Sequence, residues 1–262
     1  MNGERISYTT PTGEMCEGEI LKTLPVTDGN LLQVNIDGYG IVSIFESNKA
    51  YSNRNKAERF NRSGIPVQHS SVRWNDFTWS FYGSRESIYR EFNLARKFIS
   101  SINEFQKNFK GLYIYGSTPG NGKTMLACTL ANEIMDSHIF SVKYIEQERF
   151  FDLCKSEDES AKTAVKSVRN SILLILDNFG DCNTAWQRET ISRLVEHRIN
   201  QGHITVFVSS FAPTEIKTDD TGRIKDLILA NNIRLKLPDV PIRSKLAAAQ
   251  NAKFEQEFLK GC

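Results

Sequence analysis

A loop at residues 116–124 contains the residue types that hold a polyphosphate. The segment GSTPGNGKT follows a short apolar run, Leu112 to Tyr115, and leads directly into an amphipathic stretch. Glycines let backbone N–H groups turn inward around phosphate oxygens, and a helix that begins at the loop adds the positive end of its dipole. The order strand, loop and helix therefore predicts a P-loop that binds a nucleotide.

The positions of this loop have separate predicted roles. We expect Lys123 to lie between the β- and γ-phosphates and the Thr124 hydroxyl to bind Mg²⁺. The strict pattern G-x-x-x-x-G-K-T is broken once, because Ser117 stands at its first glycine and Gly116 comes one position earlier. The alternative is a glycine-rich turn that merely precedes a helix. The predicted nucleotide-binding residues are Ser117, Thr118, Pro119, Gly120, Asn121, Gly122, Lys123, Thr124 and Met125.

A second signal lies further along the chain. Five consecutive apolar residues, Ile172 to Leu176, end in Asp177. An uninterrupted apolar run is typical of a central parallel strand, and groups that face a ligand lie at the carboxyl ends of such strands. We therefore predict that Asp177 reaches Mg²⁺ directly or through water. The alternative is an aspartate that caps the next turn.

The residue after this aspartate bears on hydrolysis. P-loop ATPases of this arrangement commonly have a glutamate there, which orients the attacking water, whereas this chain has Asn178. An amide can hydrogen-bond to water but cannot take its proton. The sequence thus predicts ATP binding with slow hydrolysis, and it makes Asp177 and Asn178 the catalytic positions.

The composition excludes several other classes of protein. The chain has 262 residues and a net charge of +2, so any nucleic-acid binding has to come from a local patch. Its five cysteines are scattered, which argues against a zinc site or a disulfide framework and favours a reducing cytoplasm. No apolar stretch approaches the ~18 residues of a membrane span, and no signal-peptide pattern is present. We expect a cytoplasmic protein without a membrane partner.

Three regions differ in their pattern. Residues 1–47 contain four short β-type runs between turn signals, which predicts a small β module that docks a partner or acts as a spacer. Residues 48–84 form a basic linker and lead-in. Residues 85–262 alternate helices and strands, from an amphipathic helix at 85–107 to a C-terminal helix opened by Pro241. This alternation predicts an α/β domain with a central parallel sheet covered on both faces.

The basic linker has two interpretations. Arg54, Lys56, Arg59 and Arg62 lie close together, with Glu58 opposing them. Such a run is usually a solvated helix face, but in a protein driven by nucleotide it could also follow the phosphates of a single strand.

With these segments in order, the chain resembles the AAA+ ATPases of the bacterial replicative helicase loader group, the DnaC/DnaI-like proteins, and their relatives, the IstB-like helpers of transposases. The resemblance covers about residues 56–245. It depends on the P-loop, the strand that ends in Asp177, the S-G-I-P phrase of the lead-in and the segment W-Q-R-E…R-x-N-x-G at 186–202. It implies the three-layer AAA+ P-loop fold with ATP and Mg²⁺ as cofactors. The β module differs from the N-terminal domains of those loaders.

The resemblance also implies roles for two arginines. Arg223 corresponds to an arginine that reaches the γ-phosphate bound by a neighbouring subunit. Arg243 corresponds to a sensor-2 arginine at the nucleotide. For both, the alternative is an ordinary surface salt bridge. The family's sensor strand ends in T-S-N, and the residues at those positions here are Ser209, Ser210 and Phe211. The position of the asparagine is thus aromatic, although Ser209 or Ser210 could still donate a hydrogen bond.

The function implied by the resemblance lies in DNA replication. Such a protein self-associates through composite ATP sites and holds a hexameric replicative helicase and single-stranded DNA, with ATP as the assembly switch. Two alternatives stay open. An IstB-like helper would bind double-stranded DNA and a transposase. A non-hydrolysing AAA+ scaffold would use ATP only as part of its structure, which Asn178 and Phe211 would allow.

Overall fold

The computed structural model describes residues 4–9, 15–26, 29–38, 40–47, 56–84, 86–138, 140–217 and 222–259. The chain divides into two compact units, Met1–Glu58 and Arg59–Cys262. The division predicted from composition, after residues 47 and 84, stays a prediction. Within the described ranges, no helix combines the length and the apolar character needed to cross a membrane.

The first unit contains an antiparallel sheet in which each described strand pairs with the next along the chain. Alternate residues of one central strand, Leu32, Val34 and Ile36, are buried in a small apolar cluster. They share a face because successive side chains of a strand point to opposite sides. The predicted N-terminal β module is therefore present. Its strands are β1 (Arg5–Thr9), β2 (Met15–Val26), β3 (Gly29–Ile36) and β4 (Gly40–Ser47).

The second unit is built on a parallel sheet. Its described strands are β5 (Gly111–Tyr115), β6 (Val142–Glu146), β7 (Leu173–Asp177), β8 (Ile204–Ser209) and β9 (Asn232–Lys236). They lie in the order β6-β7-β8-β5-β9. Every residue of β7 and β8 is buried, which explains why their sequences are mostly apolar. The predicted central parallel sheet is confirmed, and it includes one strand, β9, that was not predicted.

Two apolar cores lie on opposite faces of this sheet. Leu173 and Ile175 of β7 belong to one core, whereas Leu174 and Leu176 belong to the other. Helices cover both faces, so the unit has three layers, as the AAA+ resemblance implied. The helices are α1 (Lys56–Ser63), α2 (Tyr89–Ser100), α3 (Ile102–Lys107), α4 (Lys123–Ser137), α5 (Gln147–Lys155), α6 (Glu159–Asn170), α7 (Ala185–Asn200), α8 (Arg223–Asn231) and α9 (Ile242–Leu259).

The single helix predicted at 85–107 is wrong. The structure has two helices there, and Ser101 between them has φ −130° and ψ 30°, outside the helical region. The Ser101 N–H donates to the Lys97 carbonyl, while its own carbonyl accepts from the Glu104 N–H. This serine thus ends α2 and begins α3 through its backbone, because its side chain makes no capping hydrogen bond at either helix.

The lead-in, residues 64–84, packs against the P-loop helix α4 through short 3₁₀ turns. The side-chain amide of Asn132 donates to the carbonyls of His69 and Val72, at 2.8 and 3.0 Å. Arg73 pairs with Asp136 at 2.8 Å. The aromatic rings of Trp74, Phe77, Trp79 and Tyr82 belong to the same core as α4 or pack against it. These contacts fix the lead-in beside the loop that precedes α4.

Candidate nucleotide-binding site

The P-loop joins the carboxyl end of β5 to the first residue of α4. Gly122 has φ 90°, and a Cβ there would lie 2.6 Å from the Tyr82 hydroxyl, so only glycine fits. A Cβ on Gly116 would lie 2.4 Å from the side-chain nitrogen of Asn121. The loop therefore needs its first glycine at position 116, and Ser117, which is exposed, needs none. This close approach accounts for the departure from the strict motif.

The ammonium group of Lys123 lies inside the loop. Its Nζ donates to the Gly116 carbonyl at 2.8 Å, to the Thr118 carbonyl at 3.2 Å and to Oδ1 of Asn121 at 2.9 Å. Burial lowers the pKa of Lys123, and the charge of Asp177 opposes that shift. A partly desolvated cation is thus held where the loop would enclose phosphate oxygens.

Asp177 is 3% exposed and accepts hydrogen bonds on both carboxylate oxygens. Its Oδ2 accepts from the Thr124 hydroxyl at 2.9 Å and from the Tyr144 hydroxyl at 2.7 Å, and its Oδ1 accepts from the Asn178 N–H at 2.8 Å. Burial and the nearby carboxylate raise the pKa of Tyr144, so this phenol stays a donor. Thr124 and Asp177 together offer hydroxyl and carboxylate oxygens, which are the ligands that Mg²⁺ prefers.

Asn178 follows Asp177 with φ 54°, a left-handed conformation that asparagine tolerates better than most residues. Its Nδ2 lies 3.5 Å from Oε2 of Glu146, at the long end of a hydrogen bond. Glu146 is the last residue of β6 and pairs in register with Asp177. A carboxylate from the neighbouring strand therefore faces the position at which the usual glutamate is missing.

The segment before α9 and the first turn of α9 are hydrogen-bonded to the P-loop. Oδ1 of Asp239 accepts from the Ser117 hydroxyl at 2.9 Å and from the Thr118 N–H at 3.2 Å, and these bonds hold the pKa of Asp239 below its ordinary value. The backbone N–H of Arg243 donates to the Gly120 carbonyl at 2.9 Å. The structure thus brings Arg243 to the loop, and its sensor-2 role stays a prediction.

Arg223 has a different environment. It begins α8, its side chain is 71% exposed, and its Nη2 lies 3.0 Å from Oε1 of Glu196 on α7. The structure places this arginine on the surface, in an ion pair. Its predicted action on a neighbouring subunit stays a prediction.

Strand β8 corresponds to the family's sensor strand, and the Ser209 hydroxyl makes hydrogen bonds within the turn that follows it. Ser209 is 1% exposed, and its Oγ donates to the Phe179 carbonyl at 2.6 Å and accepts from the Phe211 N–H at 3.0 Å. The proton of this hydroxyl is committed to the backbone. Ser209 therefore does not replace the asparagine amide of the T-S-N pattern, as the sequence had allowed.

Two other predicted loop residues do not point their side chains into the site. Pro119 is exposed. The side chain of Met125 packs against the core, so the predicted role of both residues in nucleotide binding stays a prediction.

Several site residues were not predicted from the sequence. Tyr82 donates to the Asn121 carbonyl at 2.5 Å, and Tyr144, Glu146 and Asp239 make the contacts described above. His69 lies within electrostatic reach of the site: burial lowers its pKa, with the charge of Asp177 acting in the opposite direction. The aromatic lead-in and the last residues of β6 were the available signals, but neither shows its neighbours without the fold.

Comparison with known proteins agrees with this geometry. Residues 90–227, more than half of the chain, match the sequence model of the bacterial DnaA ATPase domain. The chain is 34% identical over 129 residues to the replicative helicase loader DnaI of Bacillus subtilis (strain 168), covering 48% of this chain and 41% of DnaI. It is 26% identical over 144 residues to the replicative helicase loader DnaC of Escherichia coli (strain K12), covering 53% of this chain and 55% of DnaC.

A crystal structure of DnaI shares the fold, with a TM-score of 0.54 at 21% identity, covering 67% of this chain and 96% of that one. The chain spans about half the length of the curated relatives it matches. The sequence model of the DnaA ATPase domain matches more than half of the chain, which shows the family. The chain therefore belongs to the family of the bacterial DnaA ATPase domain and is a DnaC/DnaI-like AAA+ protein.

Proposed function

We propose that this protein is an ATP-binding helicase loader, which holds a hexameric replicative helicase and places it on single-stranded DNA in the cytoplasm. One observation carries the proposal: Lys123, Thr124 and Asp177 converge at one edge of the sheet in a DnaC/DnaI-like chain. This arrangement suits Mg²⁺-ATP, which the AAA+ family implies.

The nucleotide acts as the assembly switch. The Lys123 ammonium donates to loop oxygens, and a γ-phosphate would compete with these acceptors for its N–H groups. The same loop is hydrogen-bonded to Asp239, just before α9, and to the backbone of Arg243, in the first turn of α9. A ligand that favours one arrangement of the loop therefore shifts the position of the C-terminal helix as well.

Self-association completes the site in this proposal. Arg223 is largely exposed, so a neighbouring subunit can approach it. To reach a phosphate of that neighbour, its guanidinium would exchange the ion pair with the half-buried Glu196 for a phosphate oxygen. ATP would thus favour assembly by offering Arg223 a stronger, charge-assisted partner.

Binding of single-stranded DNA would involve only part of the basic linker. The Arg59 guanidinium donates to the carbonyls of Met135 and His138, at 3.0 and 2.8 Å, so it satisfies the end of α4. Arg62 is exposed. Arg54 lies outside the described residues. Of the side chains that the structure describes in this run, Arg62 is thus the better candidate for a phosphate contact.

Co-sedimentation with a replicative hexameric helicase tests the proposal. Lys123→Ala removes the loop cation, and Lys166→Ala, at an exposed position on α6, is the matched control. We expect ATP to strengthen the complex for the wild type and Lys166→Ala but not for Lys123→Ala. Absence of a complex under all conditions would refute the helicase assignment. Capture of a transposase instead would favour the IstB-like alternative.

A further inference from the structure

ATP hydrolysis requires a group that orients the attacking water and accepts its proton, and Asn178 cannot accept one. The residue after the buried aspartate therefore cannot act as the proton acceptor, and another residue has to fill that role. The neighbouring strand supplies a carboxylate at the same edge of the sheet.

The register of the sheet places Glu146 beside Asp177. The two residues pair across the parallel strands β6 and β7, and each is the last residue of its strand. Strands lie about 4.8 Å apart, and residues in register point to the same face. Tyr144, two residues earlier on β6, shows this directly because its hydroxyl contacts the Asp177 carboxylate.

The side chain of Glu146 is also available for chemistry. It is exposed at the carboxyl edge of the sheet, where ligands of α/β proteins bind. The side-chain nitrogen of Asn178 lies 3.5 Å from Oε2 of Glu146, so the amide can donate a hydrogen bond that orients the carboxylate. The usual arrangement, a carboxylate after the aspartate, is thus replaced by an amide there and a carboxylate on the adjacent strand.

We propose that Glu146 is the catalytic base of this ATPase and that Asn178 is its positioning residue. The inference rests on the proposed function, since it requires ATP in the P-loop. The carboxylate accepts a proton from water while the water oxygen forms a bond to the γ-phosphorus. The bond from that phosphorus to the β,γ-bridging oxygen breaks, and its electron pair leaves with ADP.

Substitution of Glu146 tests this role. Glu146→Gln keeps the shape and removes the base, and we expect phosphate release to fall about 10²-fold with ATP affinity unchanged. Glu148→Gln, exposed at the start of α5, is the matched control and should behave as the wild type.

A variant that exchanges the carboxylate at position 146 and the amide at position 178 distinguishes a catalytic role of Glu146 from a structural one. The double variant Glu146→Gln with Asn178→Asp returns a carboxylate from the other strand, and aspartate tolerates the left-handed conformation. We expect it to recover part of the lost rate.

Three other outcomes overturn the inference or its basis. A Glu146→Gln rate equal to wild type would overturn the catalytic role while the P-loop stands. ATP binding by the wild type without any phosphate release, even with helicase and single-stranded DNA, would overturn the inference and leave a non-hydrolysing scaffold. Failure of the wild type to bind a fluorescent ATP analogue would overturn the proposed function itself.

Discussion

Removal of the Tyr144 hydroxyl tests how much one hydrogen bond to the buried Asp177 contributes to stability. This hydroxyl donates to Oδ2 of Asp177 at 2.7 Å, and Thr124 donates to the same oxygen. Because Asp177 is 3% exposed, water cannot readily replace the lost donor. Tyr144→Phe keeps the ring packed and deletes only the donor.

The expected loss follows from the charge of the acceptor. A hydrogen bond to an ionised group contributes about 1.5–3 kcal/mol, roughly twice a neutral one. We expect Tyr144→Phe to lower the free energy of unfolding of the second unit by about 2 kcal/mol. For a unit of this size, that corresponds to a fall of roughly 4–8 °C in Tm.

Urea unfolding followed by tryptophan fluorescence measures this loss. The chain has three tryptophans, at positions 74, 79 and 186, and all lie in the second unit, so the signal reports that unit. Tyr89→Phe is the control because the ring of Tyr89 is 60% exposed. Equal stability of Tyr144→Phe and wild type would refute the reasoning, since it would mean that the phenol contributes nothing to the buried carboxylate.

Three further predictions concern other parts of the second unit. Arg198→Met should destabilise by roughly 3 kcal/mol or more in the same assay, because this buried guanidinium donates to carbonyls at the end of α6 and in β8, including those of Val168 and Ile204. Arg223→Ala should bind ATP as the wild type does but lose ATP-driven self-association in sedimentation; normal assembly would contradict the composite site. Burial lowers the pKa of Lys123, so this side chain should lose its charge as pH rises, beginning below the pH range in which an ordinary lysine titrates. The ATP affinity measured by fluorescence should fall over the same range. A decline that begins only in the ordinary lysine range would contradict this.

The parts of the site that could be predicted from sequence are those formed by consecutive residues. The P-loop and the strand ending in Asp177 each have a local sequence pattern, so nucleotide and Mg²⁺ binding could be predicted without the structure. The segment at 186–202 was recognisable too, and the structure shows why Arg198 belongs to it: this residue joins α6 to β8 through hydrogen bonds.

The parts that could not be predicted depend on which strands are neighbours. Tyr144 and Glu146 matter only because β6 lies beside β7, and Asp239 matters because the chain returns to the P-loop after β9. Strand β9 itself was missed because it directly follows α8, so no turn signal separates its five residues from the helix. No local pattern carries this long-range information.

The most direct test of the central claim is helicase loading itself. Circular single-stranded DNA offers no free end, so a closed helicase ring reaches it only if another protein opens or assembles the ring around the strand. We predict that wild-type protein with ATP transfers the helicase onto such circles, as does Lys166→Ala, and that Lys123→Ala does not. Transfer that is equal for Lys123→Ala, or no transfer by the wild type, would contradict the account.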